Sequence, residues 1–200
     1  MSSDCDASSV QVLERRPRHL PGVEGIWVFV GADMTVFCVL FACFMAGRRG
    51  NPELFEASRQ TLNPDFGGVN TLILLTSSLF VVLAVDAVKH NRLERAPGLL
   101  AGAFVCGIAF MISKVIEYTQ KLSAGITMLT NDFYMYYFTL TGIHLMHVVA
   151  GNVVLAVMWF KARARTHDPA APPALECGAT YWHMVDLLWI MLFPLLYLMR

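Results

Sequence analysis

The chain has 200 residues, of which 56% are apolar and only 15% are charged, whereas soluble domains carry about 25% charged residues. This shortage of charge excludes an ordinary soluble fold. The 15 basic and 15 acidic residues cancel, so no net basic field favours nucleic acid as a partner. The five cysteines form no Cys-x-x-Cys pattern, which argues against a disulfide framework or a cysteine-based zinc site.

The first 23 residues are polar and include Arg15, Arg16 and Arg18. They contain no apolar run and no small-residue cleavage site, both of which a signal peptide needs. We therefore expect residues 1–23 to form a short cytoplasmic tail.

The rest of the chain, 24–200, predicts an all-α membrane protein, a bundle of five transmembrane helices. Five apolar stretches reach the roughly 20 residues that a helix needs to cross a bilayer. Pro97 is predicted to open the third span and Asp132 to cap the fourth, and Pro169, Pro172 and Pro173 are predicted to break the chain before the fifth. The predicted spans are 24–46, 68–88, 97–118, 133–160 and 178–199.

The distribution of basic residues predicts the orientation in a bacterial plasma membrane. Loops on the cytoplasmic side of a membrane carry more Lys and Arg than loops on the other side. The N-terminus is therefore expected in the cytoplasm and the C-terminus outside. One side receives nine basic residues and the other receives five: Arg15, Arg16, Arg18, Lys89, Arg92, Arg95, Lys161, Arg163 and Arg165, against Arg48, Arg49, Arg59, Lys121 and Arg200.

Ionisable residues occur within the predicted spans, where they usually face the protein interior and find partners. Lys114 and Glu117 lie three residues apart on one helix face and are predicted to pair. Acidic or imidazole groups are expected towards the interior of at least four of the five spans. These groups are Asp33, Asp86, His144, His147, His183 and Asp186.

The histidines admit two interpretations that their spacing does not separate. His144 and His147 could bind a metal or haem iron together with His183 and Asp186, which would make the chain a stand-alone membrane metalloprotein. Alternatively, the same four residues form an interhelical polar network of hydrogen bonds. In that case His144→Leu should impair folding, because it would strand a hydrogen-bond partner in a dry interior.

The acids Asp33 and Glu117 also admit two interpretations. A carboxyl group within a span can carry protons, and a proton-conducting transporter would use such residues. Both acids can equally be held by hydrogen bonds without moving protons. The sequence has no inverted repeat typical of transporters, and it contains no catalytic nucleophile motif, phosphate loop or dinucleotide fingerprint.

The fourth and fifth spans contain two long motifs, Thr141-Gly142-Ile143-His144-Leu145-Met146-His147-Val148-Val149-Ala150-Gly151 and Tyr181-Trp182-His183-Met184-Val185-Asp186-Leu187-Leu188-Trp189. Both motifs resemble the subunit III family of haem–copper oxidases. Shorter matches appear in the family order from about residue 22 to the end. These are Leu62-Asn63-Pro64, Asn70-Thr71, Ser77-Ser78, Glu117-Tyr118 and Glu176 with Gly178.

Within this family, the chain resembles most the branch encoded with bacterial nitric oxide reductases, often called NorE. Asp33-Met34 stands where an ordinary oxidase subunit III has a glutamate. Larger family members have seven spans, and this chain resembles the five-span form that lacks the first two. Other residues that favour this branch are Ile26-Trp27-Val28-Phe29, Thr130-Asn131-Asp132-Phe133 and Leu195-Leu196-Tyr197-Leu198-Met199-Arg200.

The resemblance implies a non-catalytic subunit that supports assembly, lipid binding and proton uptake beside a catalytic subunit I, which would hold the haem and metal. No cofactor is expected in this chain. Bound phospholipid is expected in a cleft between the first two spans and the other three. Asp33 is implied as the buried acid, and Trp182 and Trp189 as lipid-headgroup contacts, together with basic residues at the span ends. The resemblance does not say whether the partner reduces oxygen or nitric oxide.

Overall fold

The computed structural model describes residues 24–90, 92–164 and 171–199, and no β-strand occurs among them. Five of the six α-helices, all except α2, are long and apolar enough to cross a membrane. The predicted all-α, multi-pass membrane fold is therefore confirmed, whereas the predicted tail, 1–23, lies outside the described residues. The elements are α1 (Glu24–Gly50), α2 (Pro52–Arg59), α3 (Pro64–Lys89), α4 (Ala96–Ser123), α5 (Asp132–Arg163), α6 (Ala171–Phe193) and a π-helical turn, Pro194–Leu198.

Two predicted features of the helix ends differ in the structure. Asn131, not Asp132, caps α5, because its side-chain oxygen accepts a hydrogen bond from the Tyr134 N–H at 3.0 Å. Pro172 and Pro173 do not interrupt the chain before the last span but lie in the first turn of α6. Proline is tolerated there because the first N–H groups of a helix have no intrahelical acceptor.

Helix α2 was not predicted, because eight residues of mixed polarity give no span signal. It is held by Phe55, whose ring packs edge-on against Phe44 and Phe133 at centroid distances of 5.5 and 5.6 Å. Arg59 forms an ion pair with Glu56 at 2.6 Å. Hydrogen bonds from Arg59, and then from Gln60, lower the pKa of Glu56 to about 2.

The spanning helices form a ring of four with a fifth at its edge. Helix α3 packs against α4 and α6, and α5 packs against the same two helices, whereas α1 lies along α5 and α6. The expected cleft between the first two spans and the other three is wrong, because the second span, α3, is an integral member of the ring. Only α1 stands apart.

Most of the apolar side chains on the outer faces of the spans are exposed. Val36, Leu72, Val105 and Met146 are examples, each more than half exposed. Apolar side chains facing outwards along helices of this length are what a hydrocarbon surrounding requires. The polar side chains described next point inwards, so the interior of the bundle is where specific chemistry resides.

Candidate functional site: buried polar groups of the bundle

The largest buried polar cluster surrounds Lys114 and Glu117 on α4. The Lys114 ammonium donates to Glu117 Oε2 at 2.7 Å and to the Tyr197 hydroxyl at 3.0 Å. The other carboxylate oxygen, Oε1, accepts hydrogen bonds from Tyr137 at 2.7 Å and from Tyr197 at 2.6 Å. The predicted pairing of Lys114 with Glu117 is therefore confirmed, and the cluster joins α4, α5 and the C-terminal turn.

Aromatic rings enclose the Lys114 ammonium on its remaining sides. The ammonium lies 4.7 Å from the Trp189 ring, 5.5 Å from that of Tyr197 and 5.6 Å from that of Tyr137. Aromatic faces attract cations, most strongly where water is excluded. Because both charged groups have multiple partners, the arrangement suits a permanent tie between helices.

Asp33 and His147 join the peripheral helix α1 to α5. His147 Nε2 lies 3.0 Å from Asp33 Oδ1, and the other ring nitrogen, Nδ1, donates a hydrogen bond to the Ile143 carbonyl of its own helix, at 2.8 Å. Since that carbonyl can only accept, Nδ1 carries a proton. The second Asp33 oxygen, Oδ2, is buried without a hydrogen-bond partner among the described residues. This pair is thus one of the few polar ties that hold α1.

His183 and Asp186, both on α6, face α3. The His183 Nδ1 atom lies 2.6 Å from the Ser78 hydroxyl. Asp186 is 6% exposed, and its Oδ1 atom has no hydrogen-bond partner in the described part of the chain. His183 therefore links α3 to α6, but it is not joined to His144 or His147.

His144 differs from the other two span histidines because aromatic rings, not polar groups, surround it. Its ring is fully buried and lies 5.7 Å from that of Phe110 and 5.3 Å from that of Trp189, centroid to centroid. Neither ring nitrogen has a hydrogen-bond partner among the described residues. The prediction that His144 joins a hydrogen-bond network is therefore wrong, because its ring packs against Phe110 and Trp189 and neither nitrogen reaches an acceptor or donor of the described residues.

The geometry also separates the ligands of the hypothetical metal site. His147 faces Asp33 on α1, His183 faces Ser78 on α3, and His144 faces Phe110 and the α6 indole. Within residues 24–90, 92–164 and 171–199, no three His, Cys, Asp or Glu side chains are placed to hold one metal ion. The stand-alone metalloprotein hypothesis thus loses the ligand set on which it depended.

The prediction of lipid-headgroup contacts for Trp182 and Trp189 is wrong, because both indole rings lie inside the bundle. They are 1% and 0% exposed, respectively. Trp189 donates its ring N–H to the Thr71 hydroxyl at 3.0 Å and stacks near Lys114. Aromatic residues at a span end are often interfacial, but here each ring fills the gap between helices.

The different surroundings of His144 and His147 predict opposite responses to leucine. His144→Leu should leave the melting temperature of the detergent-solubilised chain unchanged or raised, since it removes two unpaired buried nitrogens from an apolar site. His147→Leu should lower it, because the Asp33 carboxyl would lose its partner. Equal losses of folded protein in the two variants would contradict this assignment.

Residues 21–200 match the family model for cytochrome c oxidase subunit III. The chain belongs to this family. The match includes all five spans, so the subunit III fold covers everything that the structure describes.

Similar proteins of this family include subunits of both cytochrome c and quinol oxidases. The chain is 31% identical to cytochrome c oxidase subunit 3 of a Synechocystis species, over 88% of this chain and 74% of the relative. It is 28% identical to the cytochrome bo(3) ubiquinol oxidase subunit 3 of Pseudomonas putida, over 88% and 85%. Quinol oxidase subunit 3 of Bacillus subtilis is 27% identical over 88% and 86%.

Three residues of the subunit III interior were not predicted as site residues: Tyr137, Tyr197 and Lys121. Tyr137 lies within an aromatic run, 133–138, in which no single hydroxyl stands out. Tyr197 reaches Glu117 from the π-helical turn Pro194–Leu198, beyond the end of α6. The distribution of basic residues places Lys121 among the charges outside the spans, yet it is 8% exposed. A helical wheel of α4 places Lys121 on the face of Lys114 and Glu117.

Proposed function

We propose that this chain is a non-catalytic accessory subunit of a haem–copper respiratory reductase, where it supports assembly, lipid binding and proton uptake beside the catalytic subunit I. Membership of the subunit III family supports this proposal. The main observation in its favour is that the interior ionisable groups connect helices to one another. Lys114, Glu117, Asp33, His147 and His183 each hold another helix or turn.

We further propose that the partner belongs to nitric oxide electron transport, with an aerobic oxidase as the alternative. Asp33-Met34 supports the former, because ordinary oxidase subunits III resemble each other in having glutamate there. The N-terminus would lie in the cytoplasm, since the nine-to-five distribution of basic residues follows the positive-inside rule.

Affinity purification tests the accessory role directly. A tagged chain extracted in mild detergent should bring down a larger subunit whose optical spectrum shows haem. A deletion strain should then lose part of its nitric oxide consumption while oxygen consumption is unchanged, and the reverse would assign the oxidase as partner. A chain that purifies alone from cells expressing both reductases, with both activities intact in the deletion strain, would refute the role.

The contact of Asp33 with His147 allows proton handling to be tested separately from assembly. Asp33→Asn keeps a side chain of the same shape that can still hydrogen-bond to His147, but it cannot ionise. If Asp33 serves proton uptake, the assembled complex should form in normal yield and turn over severalfold more slowly. His147→Gln is the matched control on the other side of the same contact. Full turnover of the Asp33→Asn complex would remove the proton role.

A further inference from the structure

A hollow of about 180 Å³ opens at the end of the bundle where α3 begins and α4 ends. By this measure of volume, one water molecule needs about 10–15 Å³, so the hollow admits a group of several heavy atoms. Its walls combine apolar and polar side chains. Those that matter for its chemistry are Phe66, Ile126, Asn63, Gln120, Glu117 and Lys121.

Lys121 is the unusual residue of this hollow. The residue is only 8% exposed, but its ammonium has no hydrogen bond or ion pair with any residue that the structure describes. The ammonium lies 5.4 Å from the centre of the Tyr137 ring and 5.9 Å from that of Tyr134. An ammonium has three N–H donors, and Lys121 lines the hollow, where a ligand can accept from them. Lys114, about two helical turns earlier on the same face of α4, has a carboxylate hydrogen-bond partner, which Lys121 lacks.

The charge balance of the hollow favours an anion. Glu117 also lines it, but both oxygens of that carboxylate already accept hydrogen bonds, one of them from Lys114. The cluster therefore contains two cations, Lys114 and Lys121, and one anion, Glu117, so it has a net charge of one positive unit. The unpaired ammonium of Lys121 is therefore not neutralised from within the cluster.

Two side-chain amides can add neutral donors. Asn63 accepts a hydrogen bond from the Asp65 N–H through its oxygen, at 2.9 Å, which leaves its NH₂ group to donate. Gln120 precedes Lys121 in the last turn of α4 and contributes a second amide to the wall. An ammonium accompanied by N–H donors is a common way of binding the oxygens of a phosphate group.

We propose that this hollow, here called the Lys121 site, binds a phosphate group. The position at the ends of two spanning helices is the depth at which phospholipid headgroups lie, and Phe66 and Ile126 offer apolar surface beside the charge. The site deepens the lipid-binding part of the proposed function, and it lies between α3 and α4, away from any cleft beside α1. Free phosphate has the same chemistry and is the second source.

The test uses the full chain reconstituted in nanodiscs of two compositions. Native mass spectrometry of wild type from phosphatidylglycerol discs should show a retained lipid that Lys121→Met loses and Lys121→Arg keeps. Arg49→Met, which removes an exposed cation from the same side of the membrane, is the matched control and should retain the lipid. In phosphatidylcholine discs, the melting temperature is measured with and without inorganic phosphate.

Each outcome decides the proposal. Loss of phosphatidylglycerol in Lys121→Met alone supports a headgroup site, and stabilisation of wild type but not Lys121→Met by phosphate supports a free-anion site. If Lys121→Met changes neither lipid retention nor the response to phosphate, the proposal is overturned. If, in that case, Lys121→Met also loses a partner protein that co-purifies with wild type from cells, Lys121 is assigned to an acidic side chain of the partner. If Lys121→Met does not fold, the exposed Gln120→Leu takes its place, with weakened retention expected. Because the isolated chain is measured, failure here leaves the accessory role untouched.

Discussion

Replacing Glu117 by leucine should almost abolish the yield of folded protein. The substitution leaves the Lys114 ammonium buried without its carboxylate, with its side chain 1% exposed, and removes the acceptor of the Tyr137 and Tyr197 hydroxyls. Breaking a buried ion pair from one side costs about 3–5 kcal/mol, which is a large part of the stability of a typical domain. The measurement is the fraction of monodisperse protein after detergent extraction, together with its melting temperature.

The chain supplies a matched control for this prediction. Glu56 and Arg59 also form an ion pair three residues apart, at 2.6 Å, but their side chains are 36% and 19% exposed and lie on α2, which is not a spanning helix. Glu56→Gln should change yield and melting temperature less than Glu117→Leu, because a solvent-accessible pair contributes less than a buried one. The double variant Lys114→Met with Glu117→Leu should recover part of the loss, since it removes the stranded charge. Equal effects of Glu117→Leu and Glu56→Gln would contradict the structural role of the buried cluster.

Gly151→Ala should destabilise the contact between α5 and α6. An added Cβ at Gly151 would lie 2.7 Å from two carbons of the Trp182 ring, and this indole is buried and cannot swing away. Overpacking of this kind costs about 1–3 kcal/mol. We expect a lower melting temperature of the purified chain and faster proteolysis of its loops.

Gly142, the other glycine of α5, is the control for this substitution. A Cβ at Gly142 meets no atom within 4 Å. Gly142→Ala should therefore be neutral or stabilising, because alanine is favoured over glycine within a helix by about 0.5–1 kcal/mol. The result that would refute the packing argument is a loss at position 142 as large as that at position 151.

The sequence anticipated those features of the site that depend on one helix alone. Lys114 and Glu117 are three residues apart, so helical geometry brings them together whatever surrounds them. The same holds for the five spans, whose lengths follow from the thickness of the hydrocarbon layer. The motifs around His144 and His183 indicated the family, because they preserve residue order without requiring any knowledge of contacts.

Which partner each polar group meets depended on how the helices are rotated and placed. His144 and His147 have the same spacing signal, yet one faces aromatic rings and the other faces Asp33 on α1. Trp182 and Trp189 likewise have the sequence signature of interfacial residues, and packing turned both inwards. Helix rotation follows from side-chain fit between neighbours far apart in sequence, and periodicity within one helix does not contain that information.

Composition and span length thus established a five-span membrane protein, and motif order established its family, since both properties are local along the chain. The convergence of Tyr137, Tyr197 and Trp189 on Lys114, and the unpaired state of Lys121, emerged only from the folded bundle. The physical reason is that a buried charge is stabilised or stranded by groups from other helices. Their distance from it depends on tertiary packing.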